Sequence, residues 1–436
     1  MASLAHGVVI GGSVAGLLAA RVLLNHADRV TLLERDRLPT APGPRPGIPQ
    51  AQHVHALLLR GQQILETLFP SLTADLTAQG ALRLDWTADW QFLTAWDWMP
   101  QHVSHLEGLI CSRPLLEWYL RDRLLQMPGF ELQAATTVTG LVFEGKAARV
   151  TGVVLAEDGG DQTLAADWVV DASGRNSKLV DWLAAQGLQR PPATTVNSFL
   201  GYASRWYQRP SHRPPKGIIV ASQPGVTRRG GVLYPVEGDR CVVTLSGIEK
   251  DYPPADEAGF LAFAQSLRDP SIAQAMQDWE PISPIHSYRR TDNHWRHYEQ
   301  LADLPDGVVA LGDAVCAFNP VYGQGMTAAA LGATLLDRCL QRSATSGQGR
   351  RFQKQLAQEL LSPWLMATGE DFRWPMTTGD RPGWLSRQFQ RYFDRVTQAA
   401  NHDPQIHCAF IEVAHLTKPP THLLAPRIAW KALTLP

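Results

Sequence analysis

The segment that most narrows the possible folds is Val8-Val9-Ile10-Gly11-Gly12-Ser13-Val14-Ala15-Gly16. Residues 7–10 read as a short buried strand. From 15 to 25 the spacing turns helical, with Leu17, Leu18, Val22 and Leu23 able to face a sheet. A glycine turn set between a strand and a helix is far more specific than the same glycines alone. Gly11 permits the tight turn, and Gly16 lets the helix pack close to the strand. The free amides and partial positive charge of the helix N-terminus can then reach a pyrophosphate. Gly11, Gly12, Ser13, Ala15 and Gly16 are therefore the candidate phosphate cradle. Ser13 stands where the usual fingerprint has its middle glycine, the smallest departure that still lets a backbone approach phosphate. The next strand, 29–34, alternates and closes on acid. Glu34 lies 18 residues after Gly16, where a carboxylate accepts hydrogen bonds from an adenosine ribose, and Arg35 follows it at the strand end. This unit predicts a dinucleotide-binding α/β fold but does not separate FAD from NAD.

A second pattern, far along the chain, separates them. The apolar run 304–311 enters Gly312-Asp313-Ala314. After Pro320-Val321-Tyr322-Gly323-Gln324-Gly325-Met326, a helix rich in small residues runs to Leu340. Asp313 is placed to hydrogen-bond a ribityl or pyrophosphate group. Gly323 and Gly325, with Met326 beside them, let a second helix N-terminus approach the flavin carbonyl next to N1 and stabilise charge on the reduced ring. Together the two turns predict one FAD in a glutathione-reductase-like, Rossmann-type α/β fold.

The rest of the chain supplies the other pieces. Residues 39–49 form a loop too proline-dense for a helix. A helix is expected over 54–69, and another over 113–126 that opens on Ser112-Arg113-Pro114, a capping serine with proline in the first turn. Strands are expected over 131–134, 138–143, 149–156 and 168–170, with a hairpin turn at Glu157-Asp158-Gly159-Gly160. A second β-rich stretch covers 199–248, and from about 348 the pattern is helical. The expected organisation is a discontinuous FAD-binding domain of 1–80, 105–180 and 285–345. An inserted β-rich substrate domain of 81–104 and 185–284 and a C-terminal helical region, 346–436, complete it.

Gly312-Asp313-Ala314 through Gly323-Gln324-Gly325-Met326-Thr327 resembles the flavin segment of monooxygenases of the para-hydroxybenzoate hydroxylase superfamily. It is most similar to the branch containing squalene epoxidase and the bacterial polyether-type epoxidases, where Gly-Asp is likewise separated from a turn ending Gly-Met-Thr. Ser112-Arg113-Pro114-Leu115-Leu116-Glu117 resembles the helix whose arginine reaches the FAD, which implicates Arg113. Val170-Asp171-Ala172-Ser173-Gly174-Arg175-Asn176-Ser177 resembles a third signature, usually Ala-Asp-Gly-Arg-Xaa-Ser, and implicates Asp171. Ser173 stands where that motif, which the family associates with both FAD and NAD(P)H, has its aspartate. The resemblance implies oxygen transfer from a flavin C4a-hydroperoxide to an apolar or aromatic small molecule, by hydroxylation or epoxidation. Such chemistry needs a shielded pocket rather than a nucleophile triad, and no catalytic side chain is singled out. No second strand–glycine turn–helix follows Gly16 to build a nicotinamide domain. Electrons are therefore expected from NAD(P)H bound transiently on the FAD domain, or from reduced flavin supplied by a partner reductase.

On the substrate side, His53 and His55 in Gln52-His53-Val54-His55 are candidates for flavin contact or gating, or else polar loop-end side chains. The alternation of Trp90, Phe92, Thr94, Trp96 and Trp98 would place all five on one strand face near Trp86. That face is either an aromatic wall over the flavin or ordinary core; Trp364 and Trp374 are further pocket candidates. Three other activities fit the same cofactor. One is halogenation: Trp96-Asp97-Trp98-Met99-Pro100 is similar to the Trp-Xaa-Trp-Xaa-Ile-Pro signature of flavin halogenases, but lies earlier in the chain. The tryptophan-type members of that family also carry an active-site lysine in their N-terminal region, and the first lysine here is Lys146. The others are reduction of isoprenoid double bonds and a non-redox flavin-binding role.

Composition excludes little else. The net charge of -1 gives no field that would draw nucleic acid. No apolar run approaches the ~20 residues that span a bilayer. Five scattered cysteines, without metal-ligand spacing, read as reduced thiols of a cytoplasmic protein, and no metal site is expected.

Overall fold

A computed structural model of the chain describes residues 4–146, 148–156, 160–342, 346–381 and 383–434. Its first unit is β1 (Leu4–Ile10), α1 (Val14–Leu23) and β2 (Ala27–Glu34). A right-handed crossover can return a chain to a parallel neighbour only through a connection long enough to hold a helix. Here that logic builds a five-stranded sheet in the order Val308–Ala310, Trp168–Asp171, β1, β2, Phe130–Ala134, parallel throughout. Val8, Val9, Val30, Leu32, Val169, Val170 and Val308 have no exposed surface, as expected for strands covered on both faces. The helix Gly325–Leu340 packs against α1 over this sheet.

The glycine turn is a steric requirement. Gly11 has φ +101°, and a Cβ there would lie 2.6 Å from the carbonyl oxygen of Ala172. At Gly16 a Cβ would fall 1.7 Å from the carbonyl oxygen of Gly11. The helix can start where it does only because both side chains are missing.

The second large sheet is mostly antiparallel, in the order Glu280–Pro281, Gly201–Gln208, Arg240–Gly247, Arg229–Val236, Gly217–Val220, Trp90–Leu93; His286–Tyr288 also pairs with Gly201–Gln208. Its two faces follow the period of two. Ala203, Tyr207, Val243 and Leu245 pack under the helices Glu257–Gln265 and Ser271–Met276. Trp206, Tyr234 and Val242 face the other way, toward Trp86, Trp90 and the C-terminal helices.

Three expectations need correction or qualification. The helix expected over 54–69 begins only at Leu59. Residues 54–58 stay extended because this stretch is pinned to the second sheet, where the Val54 amide donates to Thr244 Oγ1 at 3.4 Å. The five-residue aromatic face does not form. The strand ends at Leu93, Thr94 donates its amide to Asp97 O at 3.0 Å, and Leu93 bridges Trp98 across the turn. The reversal sends Trp90 and Phe92 toward the C-terminal helices, packs Trp98 on the opposite face of the sheet and leaves Trp96 45% exposed at the tip. Of the expected hairpin turn, Glu157, Asp158 and Gly159 lie outside the described residues, while the strands around it, Arg149–Leu155 and Gln162–Ala165, pair antiparallel.

Gly16→Ala is expected to cost more than about 3 kcal/mol, because no side-chain motion relieves a clash with backbone. Trp96→Ala should stay within about 0.5 kcal/mol of wild type. Thermal melts of the two variants check this; a wild-type melting temperature in Gly16→Ala would contradict the packing.

Candidate functional site

Two helices begin here without a side-chain cap, α1 after Ser13 and Gly325–Leu340 after Gln324. Their neighbour Arg113–Leu125 is capped in the ordinary way, Ser112 Oγ accepting from the Leu115 amide at 3.3 Å. Free first-turn amides carry partial positive charge and suit an anion or a polarised carbonyl. The two uncapped ends are brought together at one contact. Gly312 has φ +65°, and a Cβ on it would lie 2.7 Å from the Cβ of Ala15. Asp313 follows, with Oδ1 3.8 Å from where a Cβ of Gly325 would stand. Its carboxyl is pushed up by burial and drawn back by Arg175, Arg113 and Arg296, and no described residue hydrogen-bonds to it. Asp313 is half-buried, whereas Gln324 Oε1 is buried without a partner. Buried polar atoms are almost always satisfied, so Gln324 calls for a ligand. A cradle lacking side chains, two uncapped helix ends and unpaired polar groups fit a dinucleotide that ends in a flavin.

The glycine-turn end of the site is braced by an ion network around Arg45, for which the sequence pattern gives no signal. Arg45 Nη1 lies 3.0 Å from Glu34 Oε2 and 2.7 Å from Asp36 Oδ2, and Arg45 Nε donates to Glu117 Oε1 at 2.9 Å. Burial alone would lower the Arg45 pKa, but Glu117 and Glu34 beside it raise it instead. Glu34 also accepts the amides of Gly12 at 2.7 Å and Asp36 at 2.9 Å. Ser13 Oγ donates to Glu117 Oε2 at 3.0 Å and accepts from Arg113 Nη2 at 2.7 Å. Glycine turn, proline-rich loop and the 113–125 helix are thus locked to one another. Glu117 was detectable as the i+4 partner of Arg113; Arg45, inside an irregular loop, carried no signal. Arg35 projects into solvent, whereas Met326 is buried in the first turn of its helix.

Asp171 differs from its expected role. It is fully buried; Oδ1 accepts from the amide of Ser173 at 3.0 Å and its hydroxyl at 2.5 Å, and Oδ2 accepts from Ser177 Oγ. Burial pushes its carboxyl up, against those hydrogen bonds. Ser173, the departure from the family motif, together with Ser177, ties Asp171 into its own turn.

On the other side, residues 53–58 run between the two sheets. Ala56 Cβ and Leu58 Cδ2 each come within 3.7 Å of the position a Cβ at Gly323 would take, and Gly323 itself has φ +66°. His53 Nδ1 hydrogen-bonds Ser204 Oγ at 2.7 Å, and its ring meets Tyr202 edge-on at 4.6 Å, with Tyr288 at 6.0 Å. Ser204 and Thr244 hydroxyls are 2.6 Å apart. Burial, with His286 nearby, brings His53 down to about 3; burial and Arg113 do the same for His55, which reaches back to the His53 carbonyl at 3.0 Å. Of the four candidate pocket residues, His53 lies on the segment whose Ala56 and Leu58 approach the Gly323 turn, and its own contacts are with Ser204, Tyr202 and Tyr288. Trp90 stacks on Trp86 at 4.5 Å within the core, and Trp96 and Trp98 lie on the turn described above. Trp364 packs edge-on against Trp295 at 5.2 Å. Trp374 is buried with Leu200, Tyr202 and Ile248.

Fold and site together define a dinucleotide-binding flavoprotein of the two-sheet type. Residues 5–351 match the family model described as an FAD binding domain, and the chain belongs to that family. It is 34% identical over 417 residues to Protein Rv3254 of Mycobacterium tuberculosis, covering 92% of this chain and 87% of that one. Among solved structures it is similar to the flavin-dependent brominase Bmp2, with a TM-score of 0.64, 16% identity, and 91% and 93% of the two chains covered. It is also similar to PqsL, a probable FAD-dependent monooxygenase from Pseudomonas aeruginosa, with a TM-score of 0.58, 16% identity, and 93% and 99% covered. At such identities these likenesses speak for the fold. The protein is an FAD-dependent oxidoreductase of the FAD binding domain family. No helix among the described residues is long and apolar enough to cross a membrane.

Asp313→Ala should weaken FAD retention at least about tenfold, the scale of a lost charge-assisted hydrogen bond; flavin content after gel filtration measures it. The buried histidines set an acid limit. With His53 held near 3 in the fold and at about 6.5 when unfolded, the unfolded state binds more protons between those values. Its contribution to stability is therefore complete above pH 6.5 and is lost as pH falls toward 3, at about 1.4 kcal/mol per unit. Urea melts at pH 7, 6 and 5 should show a shallower decline in His53→Asn than in wild type; equal slopes would mean that the imidazole is not held neutral.

Proposed function

We propose that this oxidoreductase is a monooxygenase that inserts one oxygen atom into an apolar or aromatic small molecule, by hydroxylation or epoxidation. Bound FAD, once reduced, supplies the oxygen-activating chemistry. The observation that carries the reading is the layer between the sheets. Residues 53–58 lie against the Gly323 turn on one side and the Ser204, Tyr202 and Thr244 face of the antiparallel sheet on the other. In this reading Gly11, Gly12, Ser13, Ala15 and Gly16 hold the pyrophosphate, helped by Arg113. Glu34 orients the ribose, and Asp313 and the Gly325 helix end meet the ribityl chain and ring. Tyr202, His53 and Tyr288 present mostly apolar ring surface to the substrate and exclude water. His53, neutral and anchored on Ser204, orients rather than moves a proton. The cofactor would then rest on 1–80, 105–180 and 285–345 and the substrate on 81–104 and 185–284, with 346–436 closing the assembly.

Electrons would come from NAD(P)H bound transiently or from a partner flavin reductase; the diversion of Ser173 onto Asp171 favours the partner. Halogenation is disfavoured by the lack of any lysine before Lys146 and by the surface position of the Trp96–Trp98 turn.

The test is stopped-flow absorbance of FAD-loaded protein, reduced without oxygen and then mixed with oxygenated buffer and candidate apolar ligands. A transient species between reduced and oxidised flavin is expected. Direct reoxidation with every ligand would move the assignment to double-bond reduction or a non-redox role.

A further inference from the structure

Asp371 ends the helix Gln348–Asp371, in a part of the chain where the sequence carries no cofactor motif, and it is 1% exposed. Its Oδ1 accepts from the Tyr322 hydroxyl at 2.7 Å and from Asn319 Nδ2 at 3.1 Å, and its Oδ2 accepts from Asn293 Nδ2 at 2.6 Å. Asn319 and Tyr322 bracket the short turn Pro320–Tyr322, which leads directly into Gly323 and the uncapped start of the Gly325–Leu340 helix. Asn319 is itself over-determined. Its Oδ1 accepts the Val321 amide at 3.3 Å, and its own amide donates to Asn293 Oδ1 at 2.7 Å. The basic residue next to Asp371 in sequence, Arg373, is engaged elsewhere, by Glu370 at 2.9 Å and Asp394 at 2.6 Å. A buried carboxylate is costly and is tolerated where several well-aimed donors compensate it. Here the donors are the two ends of one turn and a strand beside it, so the compensation sets the path of that turn.

We propose that Asp371 is a positioning residue for the flavin half of the cofactor. Through Asn319 and Tyr322 it places the turn that aims the Gly325 helix end, and it makes flavin binding depend on the C-terminal helical region. The inference rests on the reading of this turn as the flavin contact. It differs from a general stabilising role in one respect: the adenosine half, held by Gly11–Gly16 and Glu34, none of which Asp371 hydrogen-bonds, should not feel the change.

The experiment titrates flavin-stripped full-length protein with FAD and separately with ADP, which fills only the adenosine half, for wild type, Asp371→Asn and Tyr322→Phe. The expected result is an FAD dissociation constant raised about tenfold in Asp371→Asn and less in Tyr322→Phe, with ADP affinity unchanged in both. Wild-type FAD affinity in both variants would overturn the proposal. So would a parallel loss of FAD and ADP binding in both, which marks a fold-wide effect. A wild-type chain that binds ADP but not FAD would instead overturn the cofactor reading, and this inference with it.

Discussion

The approach of Gly312 to Ala15 is the contact on which the rest of the site depends. One residue opens the turn after the Val308–Ala310 strand, the other lies in the first turn of α1, and almost 300 residues of chain separate them. A Cβ at Gly312 would stand 2.7 Å from that of Ala15, so the two turns meet only because one side chain is absent. That meeting directs two uncapped helix ends and the Asp313 carboxylate at one volume. Neither helix end alone would distinguish a flavin from any other anion. Their convergence is set by the parallel order of the five strands and the Gly312–Ala15 approach, and the match to the FAD binding domain family names the cofactor.

Around this contact the protein uses charge sparingly and pairs it tightly. Arg45 joins Glu34, Asp36 and Glu117 in a nearly buried cluster, and Arg113 reaches Ser13 beside it. Removing one member of such a network leaves the others uncompensated, so its value lies in specifying geometry more than in net stability. The same economy appears at Asp171, which serves its own turn, and at Asp371, which serves the turn before Gly323. Acids that look alike in sequence divide into Asp313, which no described residue hydrogen-bonds through its carboxyl, and those that shape the backbone around it.

The layer between the sheets is built from neutral groups instead. His53, Ser204 and Thr244 form a short hydrogen-bonded chain capped by tyrosine rings, and burial keeps the imidazole uncharged. This uncharged, partly aromatic cluster costs stability in acid, because an unfolded histidine binds the proton that a folded one refuses.

The glycine turn, the Gly312-Asp313 pair and the Ser112 cap were legible in the sequence because each is a local demand: a positive φ, a missing Cβ or an orphan amide can be met by few residue types. The parallel order of β1 and β2 followed from the same unit. Other features depended on partners far along the chain. The strand expected to carry Trp90 through Trp98 was cut by a turn at Thr94, and the alternation that suggested one face was split between two cores. The helix expected from residue 54 yielded its first turn to Thr244 on another sheet. Arg45 had no pattern to betray it, and Asp371 looked like any helix-end acid. The sequence by itself determined the cofactor cradle and the sheet that supports it, since those rest on backbone geometry within a few residues. Only the tertiary structure decided which aromatic rings, histidines and acids reach that cradle, because side-chain direction there is set by hydrogen bonds and packing between segments a hundred or more residues apart.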